Sequence, residues 1–112
     1  MKLIRYELFF EDKYYSGALS YPFYPEDILT KKEIKEHYKL LKQLPEPKKI
    51  DFNKVKFYFK EEGNLRFNRL IPNIKRCIPS FLHVVEKHID FNEINEVDKI
   101  VYEDKWQVAI LK

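Results

Sequence analysis

The spacing of apolar and polar positions changes period partway through residues 55–76, and that change organises the chain. Val55, Phe57 and Phe59 fall on one side of an alternating segment, and Lys56, Tyr58 and Lys60 on the other, which is the period-two signature of a half-buried strand. After Glu61-Glu62-Gly63-Asn64 the apolar residues recur at Phe67, Leu70, Ile71, Ile74 and Ile78, a spacing of three and four that lines one face of a helix. A strand therefore runs into a helix, and the helix covers the sheet that contains the strand. Pro72 either kinks this helix or begins a second one, and Pro79 closes it. A competing reading makes Glu61-Glu62-Gly63-Asn64 a hairpin turn with Leu65-Arg66-Phe67 as the return strand.

The same logic assigns the flanks. Residues 2–10 place Ile4, Tyr6, Leu8 and Phe10 on one face and Leu3, Arg5, Glu7 and Phe9 on the other, a strand whose second face is only partly polar. Glu11-Asp12-Lys13 interrupts it, and residues 14–19 return as an antiparallel partner in which Gly17 marks a bulge or a close backbone approach. Thr30 and Glu33 form a capping box, so a helix starts at Lys31. Its apolar stripe is Ile34, Tyr38, Leu41 and Leu44, and Pro45 and Pro47 end it. The β-branched pair Val84-Val85 suggests a strand within residues 81–89, with a helical continuation as the alternative. Residues 99–102 and 106–111 read as a last hairpin, broken by Glu103-Asp104-Lys105, with Ile100 and Tyr102 facing the same way as Trp106, Val108 and Ile110. The expected fold is α+β: a single domain over residues 1–112, a mostly antiparallel sheet of about five to six strands and two amphipathic helices packed on it.

Composition narrows the class. A hydrophobic content of 45% with 16% aromatics is far from that of a disordered chain, while 35% charged residues and no apolar run near the ~18 residues of a membrane span exclude a membrane-spanning helix. Cys77 is alone, which forbids an internal disulfide, and no signal peptide is evident, so a cytoplasmic protein is expected. The net charge of +3 conceals segregation: residues 31–76 carry fourteen basic and six acidic groups, whereas residues 77–112 carry four basic and seven acidic ones. A dipolar surface of this type steers oppositely charged partners.

Three interaction candidates follow. Tyr21, Phe23 and Tyr24, stiffened by Pro22 and Pro25, form an aromatic segment suited to a protein contact. Lys31, Lys35, Lys39, Arg66, Arg69, Lys75 and Arg76 could meet the phosphates of a nucleic acid, with Tyr58 available to stack on a base. Asp90, Glu93, Glu96, Asp98, Glu103 and Asp104 make an acidic surface able to imitate phosphates. His37, His83 and His88 have no metal-site spacing, and two glycines cannot build a phosphate-cradling loop, so no metal and no cofactor are expected.

Arg5 on the first strand, Tyr15 or Ser16 on the second and Glu103 near the last form a trio that resembles the pattern of ADP-ribosyltransferases, although the centre of the last strand carries Gln107 rather than an acid. That resemblance implies an enzyme acting on NAD. The features together point first to a small non-enzymatic module that binds a larger protein, an inhibitor or accessory protein of bacterial or phage type such as an immunity, antitoxin or anti-defence protein that blocks a nuclease. Nucleic-acid binding through residues 31–76 is the alternative, and the transferase the remote one.

Overall fold

The computed structural model describes residues 2–20, 25–94 and 99–111. Among these lie six strands and three helices: β1 (Lys2–Phe10), β2 (Lys13–Gly17), α1 (Lys31–Leu41), β3 (Val55–Phe59), α2 (Glu61–Phe67), α3 (Leu70–Cys77), β4 (His83–Asp90), β5 (Ile100–Glu103) and β6 (Gln107–Leu111). The strands form one antiparallel sheet in the order β2-β1-β3-β6-β5, with β4 paired to β1 as well. This is the expected α+β fold. Among the described residues no helix is long and apolar enough to cross a membrane.

The mixed second face of β1 has a structural reason, because the sheet carries a core on both sides. Leu8 joins Phe59, Phe67, Leu70, Ile71, Ile74 and Leu40 beneath the helices. Leu3, five residues away and so on the opposite face, joins Val108 and Ile110, with Phe91, Ile94 and Ile100 packed against them. Both leucines are 0% exposed. The hairpin between β1 and β2 turns at Glu11 and Asp12, whose φ values of 48° and 59° are left-handed, as a two-residue turn matched to strand twist requires. A register shift between Glu7 and Phe9 sets Glu7 opposite Gly17, a bulge, which is one of the two outcomes expected at that glycine.

The capping box is present, Glu33 N donating to Thr30 Oγ1 and Thr30 N to Glu33 Oε1. The buried positions of α1 are nevertheless His37 and Leu40, with Leu41 and Leu44 partly buried; Tyr38 is exposed. The expected stripe is thus rotated toward α3, where Asn73 hydrogen-bonds His37 Nδ1 at 3.1 Å and makes an imidazole acceptable in the layer. Glu61-Glu62-Gly63-Asn64 is neither a break nor a turn but the start of α2, which excludes the return-strand reading. Glu61 and Glu62 occupy its first turn, where carboxylates complement the helix dipole. A Cβ on Gly63 would stand 2.1 Å from the Trp106 carbonyl oxygen, so the glycine is what lets α2 press onto the chain entering β6. Pro72 begins a second helix: it lies in the first turn of α3, where a missing N–H costs no helical bond.

In the last hairpin a register shift between Ile100 and Tyr102 leaves Ile100 opposite Ile110 but Tyr102 opposite Ala109. Tyr102 therefore shares a face with Phe57, its ring centroid 6.4 Å away, and Trp106 packs edge-on to Phe67 under the helices. Neither faces with Val108 and Ile110 as alternation alone suggests: the bulge turns Tyr102 over, and Trp106 lies in the bend before β6 rather than in the strand.

Candidate functional site

The two edges of β1 are used unequally. Along one edge β4 pairs continuously from Lys2↔Asp90 to Phe9↔His83. Along the other, β2 takes the C-terminal half, and β3 touches β1 only at Ile4↔Phe59. Beyond that pair β3 diverges, since its far edge is held by β6 through five consecutive pairs. The sheet is consequently split between β2 and β3, and the split is a slot of about 630 Å³.

Alternation gives the slot two chemical ends. Tyr6, Leu19, Leu41, Leu44, Phe57 and Phe59 line it on the helical side; Arg5, Glu7, Lys56 and Tyr58 line it where the opposite face of the sheet begins. The Arg5 guanidinium bridges the gap. Its Nε donates to Glu7 Oε1 at 3.0 Å and its Nη1 to the Phe57 carbonyl at 3.0 Å, replacing a ladder bond that the diverging strands no longer make. Gly17 admits the guanidinium, because a Cβ there would approach Arg5 Nη2 to 3.1 Å. Lys56 Nζ stands 3.9 Å from Glu7 Oε1. Burial raises the Tyr58 pKa, and burial followed by the Glu86 carboxylate pushes Tyr6 up to about 12, so both phenols stay protonated hydrogen-bond donors at neutral pH. Tyr6 uses its proton on Asn64 Oδ1 at 2.5 Å, which ties α2 to β1.

The residues singled out from the sequence are distributed differently. Tyr21, Phe23 and Tyr24 lie outside the described residues, as do Glu96 and Asp98. Lys31, Lys35, Lys39, Arg69 and Lys75 are exposed on the helical side of the sheet. Arg66 hydrogen-bonds Gln43 and covers the Trp106 ring at 5.1 Å, while Arg76 is paired with Glu33 at 2.5 Å. Both therefore have intramolecular work. Of the acidic segment, the apolar residues Phe91, Ile94 and Ile100 pack on the opposite face of the sheet with Leu3, Val108 and Ile110. Within it Asp90 caps the helical turn Phe91–Glu93 by accepting from Asn92 N. Glu103 is paired with Lys60 at 2.5 Å. Asp104 organises the last hairpin: its Oδ1 accepts from Trp106 N and Gln107 N, and its Oδ2 from the Tyr102 hydroxyl, whose pKa that bond raises to about 12.

Of the trio resembling ADP-ribosyltransferases, Arg5 is held by Glu7 and Phe57 and Glu103 by Lys60, so the two do not share a bond. The carboxylate beside Arg5 is Glu7, two residues along the same strand. Gln107, 4% exposed, spends its amide Nε2 on the Pro45 carbonyl and Asp104 Oδ2. Glu7, Lys56 and Gly17 were legible in the sequence only as the polar interruptions of an otherwise apolar strand face and as a rare glycine. Comparisons with protein families, with curated proteins and with solved structures find no match to this chain.

Proposed function

We propose that this protein is a small non-enzymatic docking module that acts by occupying a larger protein, in the manner of an immunity, antitoxin or anti-defence inhibitor of bacterial or phage origin. The observation that carries the reading is the aromatic end of the first hairpin. Phe9 packs at a tilt against Tyr14 and Phe10 against Phe81, each pair with ring centroids 5.0 Å apart, while Phe81 is 55% and Tyr14 46% exposed. Phe9 and Phe10 project from opposite faces of β1, so the rings wrap both sides of one tip that a two-residue turn holds rigid. Rigid aromatic rings lose little entropy on binding and supply most interface hot spots. Tyr21, Phe23 and Tyr24, which lie outside the described residues, are proposed as contact residues on their sequence alone.

The test is a complex reconstituted from purified components after recovery from the native host. Phe81→Ala, at an exposed position outside the slot, should leave the fold intact and weaken a stoichiometric protein complex by at least about tenfold. Undiminished affinity removes the hairpin tip from the reading. Retention of nucleic acid instead, lost steeply with added salt and with Lys31, Lys35 and Lys39 replaced by Gln, favours the polyanion reading, which rests on those exposed cations.

A further inference from the structure

The slot is lined by an ion pair, Arg5 with Glu7, that leaves one atom of each side chain without a hydrogen bond among the described residues. Glu7 is only 3% exposed, yet its partners, Arg5 Nε and the more distant Lys56 Nζ, are both on Oε1. Among the described residues Glu7 Oε2 has no hydrogen-bond partner, and neither has Arg5 Nη2, whose sister Nη1 is committed to the Phe57 carbonyl. No fully buried side-chain nitrogen or oxygen of the described residues lacks a partner, so both atoms are open to solvent, and the residues that bear them line the slot. At 3% exposure the Glu7 carboxylate has lost most of its hydration; Arg5 and Lys56 balance its charge through Oε1, and the open Oε2 keeps an acceptor position facing whatever enters the slot.

We propose that the slot binds a free amino acid with an apolar side chain, as its zwitterion. The ligand ammonium meets Glu7 Oε2, the ligand carboxylate meets Arg5 Nη2 and Lys56 Nζ, and the side chain enters the apolar end among Leu41, Leu44 and Phe57. The slot is lined by two cations, Arg5 and Lys56, and two carboxylates, Glu7 and the exposed Glu46, so a ligand with one charge of each sign is the matched class. An amine alone faces the repulsion of Arg5 and Lys56, a carboxylate alone faces that of Glu7, and a neutral hydrocarbon leaves the open Glu7 oxygen unpaired. The volume of about 630 Å³ lies within the roughly 300–1,000 Å³ of small-ligand sites. This site is independent of the hairpin tip, so either assignment can fail without the other.

The full-length chain would be titrated with L-phenylalanine, L-leucine, 2-phenylethylamine and 3-phenylpropanoate while amide and arginine Nε resonances are followed by NMR. Both amino acids should give saturable shifts centred on Arg5, Gly17 and Phe57. Each single-charge analogue should bind at least about tenfold more weakly, the usual consequence of losing one charge-assisted hydrogen bond. Lys56→Met, at a position 42% exposed and so safe for folding, should weaken L-phenylalanine but not 2-phenylethylamine. The proposal is overturned by the absence of saturable shifts at millimolar amino acid, by shifts centred elsewhere, or by analogues that bind as well as the zwitterions.

Discussion

The two edges of β1 were built from the same strand yet serve opposite ends. On the β4 edge eight consecutive pairs, Lys2 to Phe9, satisfy the backbone and leave no room for anything else. On the β3 edge one pair suffices to join the halves of the sheet, and an arginine side chain stands in for part of the missing ladder. Continuous pairing gives rigidity without access. Interrupted pairing gives access, and it brings Arg5 and Glu7 into a sparsely hydrated place where charge is discriminating. The contrast teaches that the candidate site is a consequence of strand divergence rather than of a sequence motif.

The strongest challenge to this contrast is a pair of truncations. Leu8→Ala removes a fully buried side chain above the continuously paired strand and should cost about 3 kcal/mol in denaturant unfolding. Phe57→Ala removes a half-buried ring from the slot wall, where solvent already enters, and should cost about 1 kcal/mol. Equal losses would mean that the slot is closed and packed in solution.

A smaller effect probes the contact between α1 and α3 at His37. Burial depresses the His37 pKa, so the folded state resists protonation while the unfolded state accepts it. Above the unfolded value of about 6.5 the residue contributes no pH dependence. Below it stability should fall, by at most about 1.4 kcal/mol per pH unit, until the lower folded pKa is passed. Denaturation midpoints measured from pH 7 downward should show this slope in the wild type and not in His37→Gln; an identical slope in both would assign the acid sensitivity elsewhere.

The smallest effect concerns the hairpin at the end of β1. Glu11 and Asp12 hold left-handed φ values that a glutamate adopts poorly. Replacing them by Asn-Gly, the preferred pair for such a turn, should stabilise the protein by about 1 kcal/mol and leave β1–β4 pairing unchanged. A loss of stability would show that the acidic pair makes contacts worth more than the strain it carries.

Much of this molecule was readable from local pattern. The strands of both hairpins and the capped start of α1 each follow from a few neighbouring residues, since turns, caps and periods are short-range physics; at Gly17 and Pro72 the sequence left two outcomes each, and the structure shows a bulge at the first and, around the second, a separate helix starting at Leu70. Side-chain direction was less readable. His37 replaced Tyr38 as a buried position because Asn73, thirty-six residues away, supplies its hydrogen bond. Tyr102 turned over because of a bulge that no residue in residues 100–103 announces. Gly63 looked like a turn glycine and proved to be the contact point between a helix and a distant carbonyl.

What the sequence determined alone, then, is most of the elements, their mostly antiparallel pairing and the unequal distribution of charge along the chain, because each depends on residues close together in the chain; residues 61–71 and 81–89 stayed open between helix and strand. The slot was decided only in three dimensions. It requires β6 to draw β3 away from β1, and that choice rests on pairings between residues some fifty positions apart, from Val55↔Leu111 to Phe59↔Gln107. Arg5 and Glu7 acquire their significance only after that separation, since the same two side chains on a fully paired strand would be an ordinary ion pair.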